Sequence, residues 1–338
     1  MTLNRDDVSV LWIEVGRKIP RYARRNIDLT SKMHPTLRQV LISEKTLKIE
    51  GVTCLESKKV PQSEFTKEFN LITKDWKFKQ TYFWQGTTSR FFYLYDAMKE
   101  LKLENVVHLE TDCVLLEPNA FKDVRNEVHY KLAYPLQAEG IGCASILFIR
   151  THQDLEEFLE FILSNWRRPD VDDMVLLGEF STRRNVLILP TQIYGKESRS
   201  EFLFDAQSVG KYFLGTDARN GRLPFARRGL GDGRKGSMTN DLFRKDLQWR
   251  TTLDGRKLQV SVVGADRSFK YANIHIHSKF ISRYINVMRW VFRISFTSKR
   301  KILWKIGLFD FAVLLERSAS FSARRILRKK NFNEKNYR

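Results

Sequence analysis

Two carboxylates one residue apart, Glu110-Thr111-Asp112, follow directly on the apolar run Val106-Val107-His108-Leu109. Ligands of open α/β sheets gather at the carboxyl ends of strands, so an acidic pair in this place stands where a ligand would be held. Carboxylate oxygens at this spacing suit one hard cation, Mg2+ or Mn2+, able to bridge two phosphates and offset the charge that builds on a departing nucleoside diphosphate. The alternative is a solvated acidic turn. Far downstream, ANIHIHSKF (residues 272–280) puts His275 and His277 on one face of a strand-like segment, with Lys279 two residues on. Imidazole is a ligand for Mn2+ and an ammonium is a partner for phosphate. The alternative there is a strand whose histidines are only hydrogen-bonded.

Such residues work only if a scaffold brings them together. Residues 8–15 (VSVLWIEV) read as a buried first strand, followed by Gly16 and a basic helical stretch over 20–27. Residues 36–42 and 52–55 continue as short strands between polar turns. In 87–103 the apolar positions Phe91, Leu94, Tyr95, Met98 and Leu101 recur at helical spacing and lead into the strand before Glu110. A second amphipathic helix is predicted over 152–166, and strands over 258–263 and 271–277. This alternation predicts an α/β fold, a mostly parallel sheet with helices on its faces. Residues 215–236, rich in Gly, Arg and Asp, lack periodicity; they read as a lid that closes over a ligand with Arg219, Arg222, Arg227 or Arg228, or as a segment without fixed structure.

The segment FWQGTTSRFFYLYDAMKELKLENVVHLETDCVLLEP resembles the stretch around the DxD motif of GT-A glycosyltransferases, and is especially similar to bacterial surface-polysaccharide enzymes. The resemblance implies a GT-A-like mixed sheet flanked by helices and a donor-contacting arginine near the start of the preceding helix, a place that Arg90 holds. It implies metal ligation by Asp112 and by Glu110, the latter departing from the family's Asp. ANIHIHSKF resembles the late His-containing motif of glycogenin-like and related families, which makes His277 a metal ligand and Lys279 a diphosphate contact, and ranks His275 behind His277. GIGCASILFIR resembles the strand carrying a small-residue turn beside the donor sugar, with Gly142, Ala144 and Ser145 leaving room for close approach; a buried strand with a free thiol is the other reading. Asp172-Asp173-Met174 resembles an acidic position near the acceptor, although either acid could cap the next helix. Phe204-Asp205-Ala206-Gln207 matches another segment of these enzymes, with Asp205 on sugar hydroxyls or capping a helix. The resemblance runs patchily over residues 8–280 and implies a nucleotide-sugar donor, a glycan or lipid-linked acceptor, a Mn2+ or Mg2+ cofactor and, from the His277/Lys279 pattern, retention of configuration.

The chain of 338 residues carries a net charge of +20, a field that favours nucleic acid, an anionic membrane surface or an anionic substrate. Residues 280–338 hold fifteen Lys/Arg against three Asp/Glu, so most of the excess lies in the last sixth of the chain. The expected organisation is therefore a catalytic domain over 1–280 and a basic amphipathic helical segment over 281–338 that lies on an anionic membrane; a packed helical cap is the other reading. No segment reaches the roughly 18 apolar residues of a membrane span. The start of the chain lacks the zones of a secretory signal, and Cys54, Cys113 and Cys143 read as free thiols, so the expected location is cytoplasmic, peripheral on the inner face of the membrane. A nucleic-acid-binding protein would explain the charge but not the acidic triplet, so no nucleic acid is expected. A nucleotide-sugar-binding scaffold without turnover is the remaining alternative, raised by Glu110.

Overall fold

Alternate residues of a strand face opposite sides, and in β1 (Ser9–Glu14) Leu11 and Ile13 enter one apolar layer while Val10 and Trp12 enter another. All six residues of β1 are buried. A strand covered on both faces belongs inside a sheet with helices on each side. The computed structural model of the chain puts it there. It describes residues 8–16, 18–74, 82–127, 129–168, 171–183, 185–191, 200–207, 209–210, 248–254, 257–263 and 268–276. The chain divides into two units, Met1–Asn286 and Val287–Arg338. Every described residue belongs to the first unit, and both the loop 215–236 and the basic segment 281–338 lie outside the described residues.

From β1 the chain runs through α1 (Arg21–Met33) to β2 (Arg38–Ser43), parallel to β1, and then to β3 (Thr53–Glu56), parallel to β2. After α2 (Glu64–Lys74) and α3 (Tyr82–Glu100) it returns on the other side of β1 as β4 (Val106–Leu109), again in parallel. The strand order reverses between β1 and β4, which is where such sheets form their ligand crevice, at the carboxyl ends. Then come β5 (Cys113–Leu115), α4 (Ala120–Asn126), β6 (Leu132–Ala138), β7 (Ile141–Gly142) and β8 (Ile146–Ile149). A 3-10 turn, α5 (Glu156–Asn165) and α6 (Asp173–Phe180) lead to β9 (Val186–Leu189), which pairs with β6.

The main sheet has the order β3-β2-β1-β4-β8-β6-β7. It is mixed, because β8 is antiparallel to both β4 and β6, and β7 to β6. The links among β6, β7 and β8 are turns of a few residues, far short of the dozen or so that a parallel crossover needs. A second sheet of β10 (Phe202–Leu203), β11 (Gln248–Asp254), β12 (Lys257–Val263) and β13 (Ser268–Tyr271) has the order β10-β13-β12-β11. From it β14 (Asn273–His275) leaves to pair antiparallel with β5, and this register sets His275 opposite Cys113.

Two apolar layers cover the sheet. On one face Phe91, Phe92, Leu94 and Met98 of α3 meet Phe69 of α2 and Phe158 and Ile162 of α5. The Phe69 ring stacks on Phe92 at 4.3 Å and meets Trp166 edge-on at 5.3 Å. Ile27 of α1 and Phe121 of α4 belong to the layer on the other face. The helix expected over 87–103 begins earlier, at Tyr82, so Arg90 lies inside it and not near its start. Among the described residues no helix is long and apolar enough to cross a membrane.

Helix α6 approaches β7 at two glycines. A Cβ on Gly178 would stand 1.9 Å from the Gly140 carbonyl oxygen, and one on Gly142 would stand 2.3 Å from Leu177 Cβ. Backbone cannot yield as a flexible side chain does, so Gly178→Ala should cost about 3 kcal/mol or more. A thermal melt followed by circular dichroism should show a midpoint several degrees below wild type; an unchanged midpoint would mean that α6 does not lie this close to β7.

Candidate metal centre

The carboxyl end of β4 delivers Glu110 and the following turn delivers Asp112, while the β5–β14 ladder brings His275 to the same place. His275 Nε2 lies 3.4 Å from Glu110 Oε2 and 3.4 Å from Asp112 Oδ1. One ligand atom from each of the three falls within 4.8 Å of the other two. Side-chain exposure is 21% for Glu110 and 8% for each of the others, so Glu110 is the most accessible of the three.

Each member is held from behind. Asn26, fully buried on α1, donates its side-chain amide to the Thr111 carbonyl (3.2 Å) and the Cys113 carbonyl (2.7 Å), which fixes the acidic turn. Thr111 Oγ1 donates to Glu14 Oε2 at 2.9 Å, joining the turn to the end of β1. The Ile276 amide donates to the Asp112 carbonyl at 2.7 Å. His275 Nδ1 lies 3.0 Å from the Ala206 carbonyl. A carbonyl can only accept, so Nδ1 carries a proton and Nε2 is the nitrogen turned to the two acids.

This donor set fits a divalent cation. Two carboxylates and one imidazole suit Mn2+ better than an ion demanding oxygen alone, and the backing of Nδ1 by a carbonyl is the support that metal-ligating histidines usually have. Burial disfavours a charged imidazole, yet the negative charges of Asp112 and Glu110 outweigh it and hold the His275 pKa well above its ordinary value. The cluster thus already attracts positive charge.

Arg90 closes the other side. Its guanidinium bonds Glu110 Oε1 through one nitrogen and Asp173 Oδ2 through the other, deep in the protein. Burial opposes its charge, but Glu110 and Asp173 more than compensate and keep it protonated. Burial would likewise raise the Glu110 pKa, but Arg90 and then His275 bring it below the usual range. His108, beneath them on β4, is pushed down to about 3 by burial and then by Arg90, so it is neutral, with Nδ1 3.0 Å from the Leu11 carbonyl.

The structure therefore brings Glu110, Asp112, Arg90 and Asp173 together and adds His275, the histidine that resemblance ranks second. Strand periodicity puts residues 275 and 277 on one face, and the ladder register, which sequence does not carry, brings His275 to the acids. His277 and Lys279 lie outside the described residues. Asp172 takes its capping alternative, accepting from the amides of Met174 and Val175 at 2.9 Å each. Asp205 also binds backbone: Oδ1 accepts from Val209 (3.0 Å), and Oδ2 from Gly210 (2.9 Å) and His275 (3.0 Å). The space beside Gly142 is filled by Leu177. Ala144 and Ser145 are buried in the turn next to Glu110, whose amide donates to the Ser145 carbonyl at 3.0 Å. Sequence reasoning passes over Asn26, Glu14 and Asn273, whose roles depend on long-range contacts without a motif.

No protein-family model matches the sequence, and no curated protein matches it. Among solved structures, mouse xyloside xylosyltransferase 1 is similar at 9% identity and a TM-score of 0.38, over 54% of this chain and 85% of its own. The galactosyltransferase LgtC, solved with donor and acceptor sugar analogues, is similar at 11% identity and a TM-score of 0.34, over 54% of this chain and 74% of its own. A cytidylyltransferase from Leptospira borgpetersenii stands at 12% identity and a TM-score of 0.31, over 58% of this chain and 79% of its own. At such distances the architecture rests on this chain's own strand order and register, an α/β fold with a mixed sheet between helices.

Proposed function

We propose that this chain is a GT-A-like glycosyltransferase that moves a sugar from a nucleotide diphosphate to a glycan or lipid-linked glycan, with Mn2+ or Mg2+, of the kind that builds bacterial surface polysaccharides. The observation that carries the reading is the Glu110, Asp112 and His275 cluster at the carboxyl ends of β1 and β4. A bound divalent ion supplies charge neutralisation at the departing diphosphate. The two acids and His275 would hold it, Glu110 and Asp173 orient Arg90 toward the donor side, and Ala144 and Ser145 form the wall beside Glu110. Residues 277–280 follow directly on the cluster, and there the family resemblance assigns His277 to the metal and Lys279 to the phosphates. Each factor of ten in rate needs about 1.4 kcal/mol of transition-state stabilisation, and a positive charge fixed beforehand provides it without reorganisation.

Retention of configuration is supported by what the acids are doing. Asp205 is committed to backbone amides through both oxygens and buried Asp173 is paired with Arg90, so neither stands ready as the base that inversion requires at the acceptor hydroxyl. With retention, the departing phosphate can take that proton itself.

A thermal-shift screen of nucleotide sugars tests the reading. A ligand at a hundred times its dissociation constant stabilises by about 2.7 kcal/mol, so one nucleotide sugar should raise the melting midpoint by several degrees with Mn2+ and much less with EDTA. If no nucleotide sugar shifts the midpoint in either condition, the proposal fails. Mass spectrometry of products with the donor so identified then separates sugar transfer from nucleotidyl transfer.

A further inference from the structure

His275 lies on a strand of only three residues, yet its ring must point at two acids with little freedom to turn. Two hydrogen bonds from one short segment supply the constraint. Asp205 Oδ2 accepts the His275 backbone amide at 3.0 Å, and the carbonyl of the next residue, Ala206, lies 3.0 Å from the ring Nδ1. Asn273 ties that segment to β14 reciprocally: its Oδ1 accepts the Asp205 amide at 3.1 Å and its Nδ2 donates to the Asp205 carbonyl at 2.9 Å. Asp205 is fully buried and its other bonds, to the amides of Val209 and Gly210, stop it from turning. Gly210 is packed so closely that a Cβ there would meet the His275 carbonyl oxygen at 1.7 Å.

A fully buried carboxylate is costly unless its hydrogen bonds repay the lost hydration. Three backbone amides offset part of that cost here, and one of them belongs to the histidine of the cluster. We propose that Asp205 is a positioning residue, which together with the Ala206 carbonyl locks His275 so that Nε2 faces Glu110 and Asp112 and serves as a nitrogen ligand of the cation. Asp205 then touches neither cation nor sugar; it acts through His275. This rests on the reading of the cluster as a cation site and deepens it, because a nitrogen ligand sets which cation is preferred. Mn2+ and Co2+ accept an imidazole nitrogen more readily than Mg2+, which is served by oxygen.

In Asp205→Asn one acceptor becomes an amide donor facing backbone N–H groups, so His275 is released while Glu110 and Asp112 remain. Calorimetry on the full chain should show Mn2+ affinity lowered about 10- to 100-fold, the usual effect of losing a ligand's outer support, with Mg2+ affinity within about threefold of wild type. General damage to the site would weaken both ions alike, and that result, or unchanged Mn2+ affinity in a folded variant, overturns the proposal. Should Asp205→Asn fail to fold, Asn273→Ser, which keeps the carboxylate but unties its segment, carries the same expectation. Wild-type protein gives an independent reading: pulsed EPR of bound Mn2+ should show directly coordinated nitrogen, with the coupling reduced in the variant. Mn2+ bound without nitrogen coupling would sink the positioning role and leave the acidic site standing. If wild type binds neither ion, the cation-site reading itself fails.

Discussion

Asp112→Asn should cut metal-dependent sugar transfer at least a hundredfold while the melting temperature stays close to wild type. The substitution preserves shape and removes one negative charge from a cluster whose other members are Glu110 and His275. A pair of unit charges about 4 Å apart is worth roughly 4 kcal/mol at an effective dielectric constant of 20. Losing even about 3 kcal/mol of that with the cation corresponds to a factor of at least about a hundred. Glu110→Gln should cost less in cation binding, since one Glu110 oxygen is already engaged by Arg90. Paired variants decide the histidine. His275→Ala should lose Mn2+ affinity much as Asp112→Asn does, and His277→Ala should lose less. Full Mn2+ affinity and transfer in folded Asp112→Asn and His275→Ala proteins would remove the site from the proposal.

How far the sequence leads toward that site differs from residue to residue. Positions governed by local physics are readable: β1, β2, β4 and α5 follow from short apolar runs or helical spacing, and the acidic pair after β4 follows from its place at a strand end. The mixed character of the sheet depends on β8 choosing antiparallel partners, a tertiary matter that alternation of strand and helix does not encode. Asp172 and Asp205 show the limit in another way. Acids that could touch substrate could equally cap backbone amides, and only the positions of the amides decide between the two. Periodicity alone does not carry His275 to the acids; its register opposite Cys113 does. Asn26 is invisible for the same reason, because its carbonyl partners at Thr111 and Cys113 lie more than eighty residues away.

The largest loss of stability is expected from Arg90→Met. The side chain is 10% exposed and lies between Glu110 and Asp173, so methionine fills much of its volume but leaves two carboxylates with no cation between them. Breaking a buried pair by removing one partner costs about 3–5 kcal/mol, mostly from the charge left behind. For a domain of this size that lowers the melting midpoint by about 10 °C. A second substitution exposes the cause. Asp173 is 2% exposed, and its charge is unaffordable without the guanidinium. Asp173→Asn introduced into Arg90→Met should therefore restore part of the lost stability, whereas the same change in wild type should be destabilising. This reversal of sign in a double-mutant cycle separates an uncompensated charge from simple loss of packing, which would leave the two effects additive. Glu110 also loses the partner that holds one of its oxygens, so Arg90→Met should weaken Mn2+ binding even at temperatures where the variant is fully folded. If the melting midpoint stays within about 2 °C of wild type and the cycle is additive, Arg90 does not bridge the two acids, and its part in holding Glu110 beside the cation falls with it.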